Sequence, residues 1–433
     1  MAPTLHRHAP RAPNRSRTIA GRPLVTGPHP LLGPSGAGPR RLPRGISRRS
    51  LFRGAGAAGM SALLAACSIP GIGVSGYQPV TDTSATDMTL NWANWPFYID
   101  TPDEEAAAEG EAEPTTLEKF QDETGITVTY TEDVNDNDSY FAKIQPQLTG
   151  GQAIAADVFV VTDWMVAKLI RLGFVVELDH SKIPNFANMR EDLTQVSYDP
   201  GRKYSMTWQS GLGGIAVNPA ATGGREITSM DQLLTDPALR GKVTLLTEMR
   251  DTVGLVLLDM GFDPANFTDS QFDQAIGKLQ DAVDSGQIRR FTGNDYGADL
   301  VQGNVAACVG WTGDVVSLQA DNPDLQFIIP DAGCTLWSDN FVVPVRSPHK
   351  ENAEKLINFY YQPEIAAQAE AWINYISPVD GTAEAMEEID PDILEDPLVF
   401  PTEEDLAKAH VFMGLSEEQE NRCNRAFAKL TGA

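Results

Sequence analysis

The chain has 433 residues, 42% of them hydrophobic and 21% charged, with 4 Cys and 6 His. This composition excludes a disulfide-stapled miniprotein, a collagen and a largely disordered chain, and at roughly 150 residues per domain the length predicts two or three lobes, each with its own core. No run of about 18 apolar residues occurs, so no membrane-spanning helix is expected. Charge is segregated: residues 1–66 hold 11 Arg and no Lys, Asp or Glu, leaving 22 basic and 59 acidic side chains, a net of −37, on the other 367 residues. A body this acidic repels nucleic acid and anionic lipid and attracts cations, although acidity also serves plain solubility.

Met1 to Ile46 is rich in Pro, Gly and Arg without periodicity, the composition of a disordered extension. Ser47-Arg48-Arg49-Ser50-Leu51-Phe52, the small apolar run Gly54 to Ala66 and then Cys67 supply the three parts of a secretory signal. The paired arginines resemble the twin-arginine export signal, and Leu64-Ala65-Ala66-Cys67 resembles a bacterial lipobox. These resemblances imply cleavage before Cys67, which becomes the lipidated first residue. Residues 67–87 then read as a tether, flexible from its Gly, Ser, Thr and Pro content.

Met88 to Trp92 alternates as a strand, and the acidic stretch Asp100 to Glu113 reads as a solvated insertion. A helix from Pro114 stops at Gly125, and Ile126 to Tyr130 follows as a strand. Ser139 to Leu148 is predicted helical, Asp157 to Val161 a strand, and Met165 to Leu172 a helix closed by Gly173. The alternation restarts after Tyr204, with strands Ile215 to Val217 and Lys242 to Leu246 and helices Met230 to Leu234 and Thr252 to Met260. Strands interleaved with helices predict an α/β fold with a mainly parallel sheet, and two such blocks predict two lobes with a cleft between them. Lobe 1 is read as residues 88–210 with part of 335–370, and lobe 2 as 211–334 with part of 371–433. Gly211 to Gly214 and the stretch around Asp331 to Cys334 are the hinge candidates.

Several chemistries lack their residues. His180, His349 and His410 are scattered, without the H-E-x-x-H spacing of zinc hydrolases, and no nucleophile elbow, P-loop or dinucleotide turn occurs. Asp133 to Asp138 begins like a calcium loop but has Asp138 where glycine is needed and Ile144 where the closing Glu belongs. No metal or cofactor is therefore expected. Cys308 lies in an apolar run and reads as core, while Cys334 and Cys423 are a candidate disulfide pair.

Aromatic and acidic residues coincide at predicted strand ends: Trp95 and Tyr98, then Thr162-Asp163-Trp164, Glu248 and Asp251, Trp311, and Trp337-Ser338-Asp339. An ammonium gains about 0.5–2 kcal/mol over an aromatic face, and once desolvated it needs a carboxylate. Aromatic walls with acids at intervals suit a linear di- or triamine. Core packing is the bland reading of each Trp alone, and it weakens as the coincidences accumulate.

Asn94-Trp95-Pro96-Phe97-Tyr98, Leu117 to Tyr130, Asp157 to Leu169, Leu245 to Leu257, Val305 to Trp311, Trp337 to Pro344, Lys355 to Phe359 and Tyr375 to Pro378 run in an order that resembles the bacterial spermidine/putrescine-binding proteins of ABC transporters. The resemblance implies a two-lobed type II periplasmic-binding-protein fold holding a polyamine in its cleft. It implies ligand contacts from Trp95, Tyr98, Thr162, Asp163, Trp164, Glu248, Asp251, Trp311, Trp337 and Asp339, with Asp339 as counter-ion to an inner ammonium and Tyr375 closing the cleft. Asp163 stands where the family often has a neutral residue. A glutamine near the family's end has no counterpart, and the 100–113 insertion is unusual, so one end of the pocket and the preferred amine length stay open.

The implied protein is a non-enzymatic, monomeric, lipid-anchored receptor outside the cytoplasmic membrane or in the periplasm, handing its polyamine to permease subunits and binding no nucleic acid. The competing readings are a receptor for a sugar, an amino-acid derivative or ferric iron, and a secreted carboxylate-dependent hydrolase.

Overall fold

The computed structural model describes residues 80–102 and 113–432. The export signal, Cys67 and residues 103–112 of the acidic insertion lie outside the described residues. The end of the expected tether is docked rather than loose: the Thr83 N–H donates to the Pro348 carbonyl at 2.7 Å, and Asp82 and Ser84 accept from the Glu351 and Asn352 N–H groups.

In the first block, β1 (Thr89–Asn94), α1 (Thr116–Thr124), β2 (Thr127–Glu132), α2 (Asn137–Thr149), β3 (Val158–Thr162) and α3 (Asp163–Leu172) alternate. Local chemistry sets the helix ends. Thr115 and Glu118 form a capping box on α1, and Gly125 ends it at φ 72°, a left-handed conformation that glycine adopts without a Cβ penalty. Asp136 caps α2 by accepting from the Ser139 N–H at 2.8 Å, which gives the acidic run Asp133–Asp138 a role as a helix start.

The second block comprises β4 (Ser205–Val217), β5 (Val243–Leu246), α4 (Met249–Asp259), α5 (Asp269–Asp284), β6 (Ile288–Thr292), β7 (Ala307–Trp311), α6 (Thr312–Leu318) and β8 (Gln326–Ile328). After it come β9 (Cys334–Val342), α7 (Lys350–Tyr360), α8 (Pro363–Ile373), β10 (Ala409–His410) and α9 (Glu417–Thr431).

The strands join in the order β2-β1-β3-β9-β4-β7-β5-β6, with β10 on β9 and β8 on β4. The sheet is mixed rather than mainly parallel. β1 pairs in parallel with β2 and β3, and β5 with β6 and β7, whereas β4 and β9 run antiparallel to each other and to β7 and β3 respectively. Buried strands of either direction read alike in sequence, so direction was not visible there. β4 also starts ten residues before the expected Ile215 and is buried throughout; its first half lacks the apolar run by which a strand is recognised in sequence.

β4 and β9 pair from Ser205↔Val342 to Gly213↔Thr335. Near one end β9 meets β3 (Thr162↔Asp339), and near the other β4 meets β7 (Gly213↔Trp311). The two long strands are thus common to both halves of a two-lobed α/β fold. Behind the cleft, Trp92, Trp208, Phe341 and Tyr360 pack as an aromatic cluster with centroid separations of 4.9–5.5 Å, in pairs worth about 0.5–1.5 kcal/mol beyond area burial. Cys334 and Cys423 do not pair. Both are free and buried, as is Cys308.

Candidate functional site

Carboxyl ends of strands converge on one cavity of about 1250 Å³. Its wall includes Trp95 and Tyr98 after β1, Thr162, Asp163 and Trp164 after β3, Glu248 and Asp251 after β5, Trp311 at the end of β7, Trp337 and Asp339 in β9, and Tyr375 after α8. All eleven residues singled out in the sequence therefore share one space.

Asn94 shapes the first turn, accepting from the Trp95 N–H at 2.9 Å and donating to the Tyr98 carbonyl at 3.3 Å. The aromatic wall is continuous. Trp311 and Trp337 lie 6.4 Å apart, Trp337 and Tyr375 5.2 Å, and Tyr375 and Tyr98 5.5 Å, each pair edge to face. Gly211 makes room for it, since a Cβ there would run into the Trp337 and Tyr375 rings. A Cβ at Gly213 would likewise strike Thr335 and Asp251. The glycine-rich part of β4 is thus where the backbone approaches the cleft side chains most closely.

The carboxylates are held by neutral donors. Asp339 accepts from Thr162 Oγ1 at 2.7 Å and from the Tyr98 hydroxyl at 3.0 Å. Burial pushes its pKa up to about 7; those two bonds pull the other way, and Asp163 and Asp251 push it further up. Asp251 accepts from Thr335 Oγ1 at 2.6 Å and from Trp311 Nε1 at 3.1 Å, and burial raises it too. Asp163 accepts from the Trp164 N–H at 2.6 Å and is pushed up to about 6, again chiefly by burial.

Glu248 differs. Its Oε1 accepts from the backbone N–H of Asn137 at 3.1 Å and from Asn137 Nδ2 at 3.0 Å, so this acid after β5 is tied to the start of α2. Burial, reinforced by Asp138 and Asp136 and opposed by the Asn137 bonds, pushes it up to about 8.

Three contributors escaped the sequence reading. Asp314, in the first turn of α6, lines the cavity and accepts from the Tyr375 hydroxyl at 2.9 Å, the Tyr296 hydroxyl at 2.7 Å and Asn294 Nδ2 at 3.2 Å. Its signal was present: like Asp163 and Asp251 it is an acid in the first turn of a helix that follows a strand end. Arg250 also lines the cavity, its guanidinium stacked 3.7 Å from the Trp164 ring centroid and its buried Nε without an acceptor. Asn137 had no signal beyond its place in the acidic run. Among the described residues no His, Cys, Asp and Glu cluster suited to a metal ion occurs, and no helix is long and apolar enough to cross a membrane.

Two lobes sharing a pair of strands, with an aromatic and acidic cavity at their strand ends, define the architecture of a solute receptor. The family profile of the bacterial extracellular solute-binding proteins matches residues 115–401, and the chain belongs to that family. It is 28% identical over 328 residues to spermidine/putrescine-binding periplasmic protein 1 of Haemophilus influenzae, covering 76% of this chain and 85% of that one. It is 27% identical over 317 residues to the spermidine/putrescine-binding periplasmic protein of Escherichia coli strain K12, covering 73% and 84%. The fold is similar to the crystal structure of the spermidine/putrescine ABC transporter substrate-binding protein PotD from Streptococcus pneumoniae, with a TM-score of 0.63 at 24% identity over 79% of this chain and 98% of that one.

Proposed function

We propose that the chain is the extracytoplasmic substrate-binding component of an ABC transporter and that its cargo is a polyamine, spermidine or putrescine. One observation carries the reading: Asp339 and Asp251 are buried and Asp314 is half-buried at the aromatic wall, and each accepts hydrogen bonds from hydroxyl, indole or amide donors. Buried carboxylates without a cationic partner are costly, and a linear amine cation supplies the missing charge while its methylenes lie against the rings. The eleven residues expected from the sequence, with Asp314 added, form the proposed ligand site. A sugar would leave these carboxylates without counter-charge, and no cluster of His, Cys, Asp and Glu suited to a metal ion occurs among the described residues.

The lobes are proposed to divide near residue 210 in β4 and again in β9, and to close by bending there. The bulge between Thr207 and Gln209 supports this placement, because a register shift is where a strand bends most readily. The role is capture and delivery to a permease, without catalysis. The Arg48-Arg49 signal and Leu-Ala-Ala-Cys sequence support export and lipidation at Cys67; labelled palmitate should enter the wild type and not Cys67→Ala.

A thermal-shift screen with spermidine, putrescine, sugars, amino acids and ferric iron tests the cargo. A ligand at 100 times its dissociation constant adds about 2.7 kcal/mol. Polyamines should raise the melting temperature; stabilisation by a sugar or by iron alone would overturn the assignment.

A further inference from the structure

In a two-lobed receptor, residues that never touch the guest can set its affinity by biasing closure. Glu420 on α9 is buried and receives two cations from α3: Lys168 Nζ lies 3.0 Å from Oε1, and Arg171 Nη2 lies 2.8 Å from Oε2. The two helices are fixed to different strand groups. α3 packs on β3 and β9, with Lys168 also over the Phe141 ring at 4.3 Å. α9 packs on α5, where Arg422 Nη2 is 2.6 Å from both oxygens of Asp273, and Phe427 meets Phe291 of β6 at 5.9 Å.

None of Lys168, Arg171 and Glu420 lines the cavity. The triad nevertheless sits behind it: Trp164, which carries the stacked Arg250, is one helical turn before Lys168, and Glu420 is foremost among the acids that attract Arg250. Burial opposes ionisation of Glu420, but Lys168 and Arg171 outweigh it and hold the carboxyl below its ordinary range, so Glu420 stays ionised through neutral pH.

We infer that Glu420 is a positioning residue for lobe closure: by joining α3 to α9 outside the cavity it holds the Trp164–Arg250 end shut and raises affinity without touching the ligand. The inference rests on the receptor reading above. A free protein with the triad intact spends more time closed, and a bound one reopens more slowly.

The test uses the full-length chain, with stopped-flow tryptophan fluorescence for spermidine and putrescine and X-ray scattering of ligand-free protein. Glu420→Gln should raise the dissociation rate about 5- to 30-fold, leave the association rate within about twofold, and enlarge the ligand-free radius of gyration. Glu420→Asp should recover part of the loss. A merely structural role would lower the melting temperature and leave these readouts of the folded protein unmoved, and that result overturns the inference. Should Glu420→Gln fail to fold, Lys168→Gln and Arg171→Gln each remove one arm and must shift the same readouts in the same direction; no shift overturns it equally. A wild type that binds no polyamine defeats the cargo assignment, and the radius of gyration of the variants still decides the latch.

Discussion

At the Asp339 end of the cleft, acids meet only neutral donors, whereas at the Glu248 end the protein supplies a cation of its own, Arg250 stacked on Trp164. The two ends hold similar residues and do different work. Asp339 and Asp314 are left to be neutralised by the guest, whereas Asp251, hydrogen-bonded by neutral donors, also feels the charge of Arg250. Glu248 spends its acceptor on Asn137, and beyond it Glu420 is ion-paired with Lys168 and Arg171. A carboxylate in a binding cleft therefore marks an ammonium site only when no fixed cation or cross-cleft donor has claimed it.

The largest effect that would break this comparison is expected at Asp339. Asp339→Asn should weaken spermidine or putrescine binding at least about tenfold in calorimetry, since a charge-assisted contact is lost. The ligand-free protein should melt no lower, because a destabilising buried charge goes with it. Unchanged affinity would remove Asp339 from the site.

Next in size is the pH dependence. Asp163, Asp339 and Glu248 are pushed up to about 6, about 7 and about 8, so in the empty cleft each is neutral below that value. A bound ammonium favours the ionised acids, so binding releases protons and affinity should rise between about pH 5.5 and 8. Stability moves oppositely. Folded-state values above the unfolded ones mean that the unfolded chain holds fewer protons in this window, and the ligand-free melting temperature should fall as pH rises. Calorimetry in buffers of different ionisation enthalpy checks the first trend and scanning calorimetry the second; proton uptake on binding would refute the scheme.

The smallest effect should be at Glu248. Glu248→Gln keeps an oxygen for Asn137 and replaces an acid already largely neutral at pH 7, so affinity should fall by less than about threefold. A loss as large as that of Asp339→Asn would make the two ends equivalent and remove the distinction drawn between them.

Much of this was legible in residue order. The helical pattern from Pro114, the Gly125 and Gly173 stops and the apolar run of β3 place their elements within a few residues, because stops and periodicity act over one or two turns. Trp95 and Trp311 could be picked out because strand ends gather at one edge of an α/β sheet, whereas Asp339 reaches the same cleft from inside β9. Asp314 stands one step further on, in the first turn of the helix that follows Trp311, where an acid is equally common as a helix-dipole partner. Arg250 could not be placed: a lone arginine between two acids says nothing about a tryptophan 86 positions earlier.

What the sequence by itself determined was the alternation of elements and the kinds of side chain standing at their ends, since these follow from contacts a few residues long. The tertiary structure alone decided that β4 and β9 run antiparallel through both lobes, that Cys334 and Cys423 stay apart, and which acids are neutralised from within. Those outcomes depend on partners such as Asn137 and Glu248, 111 positions apart. Desolvation and Coulomb energy at such a contact are set by the surroundings that folding creates, and local pattern does not carry that information.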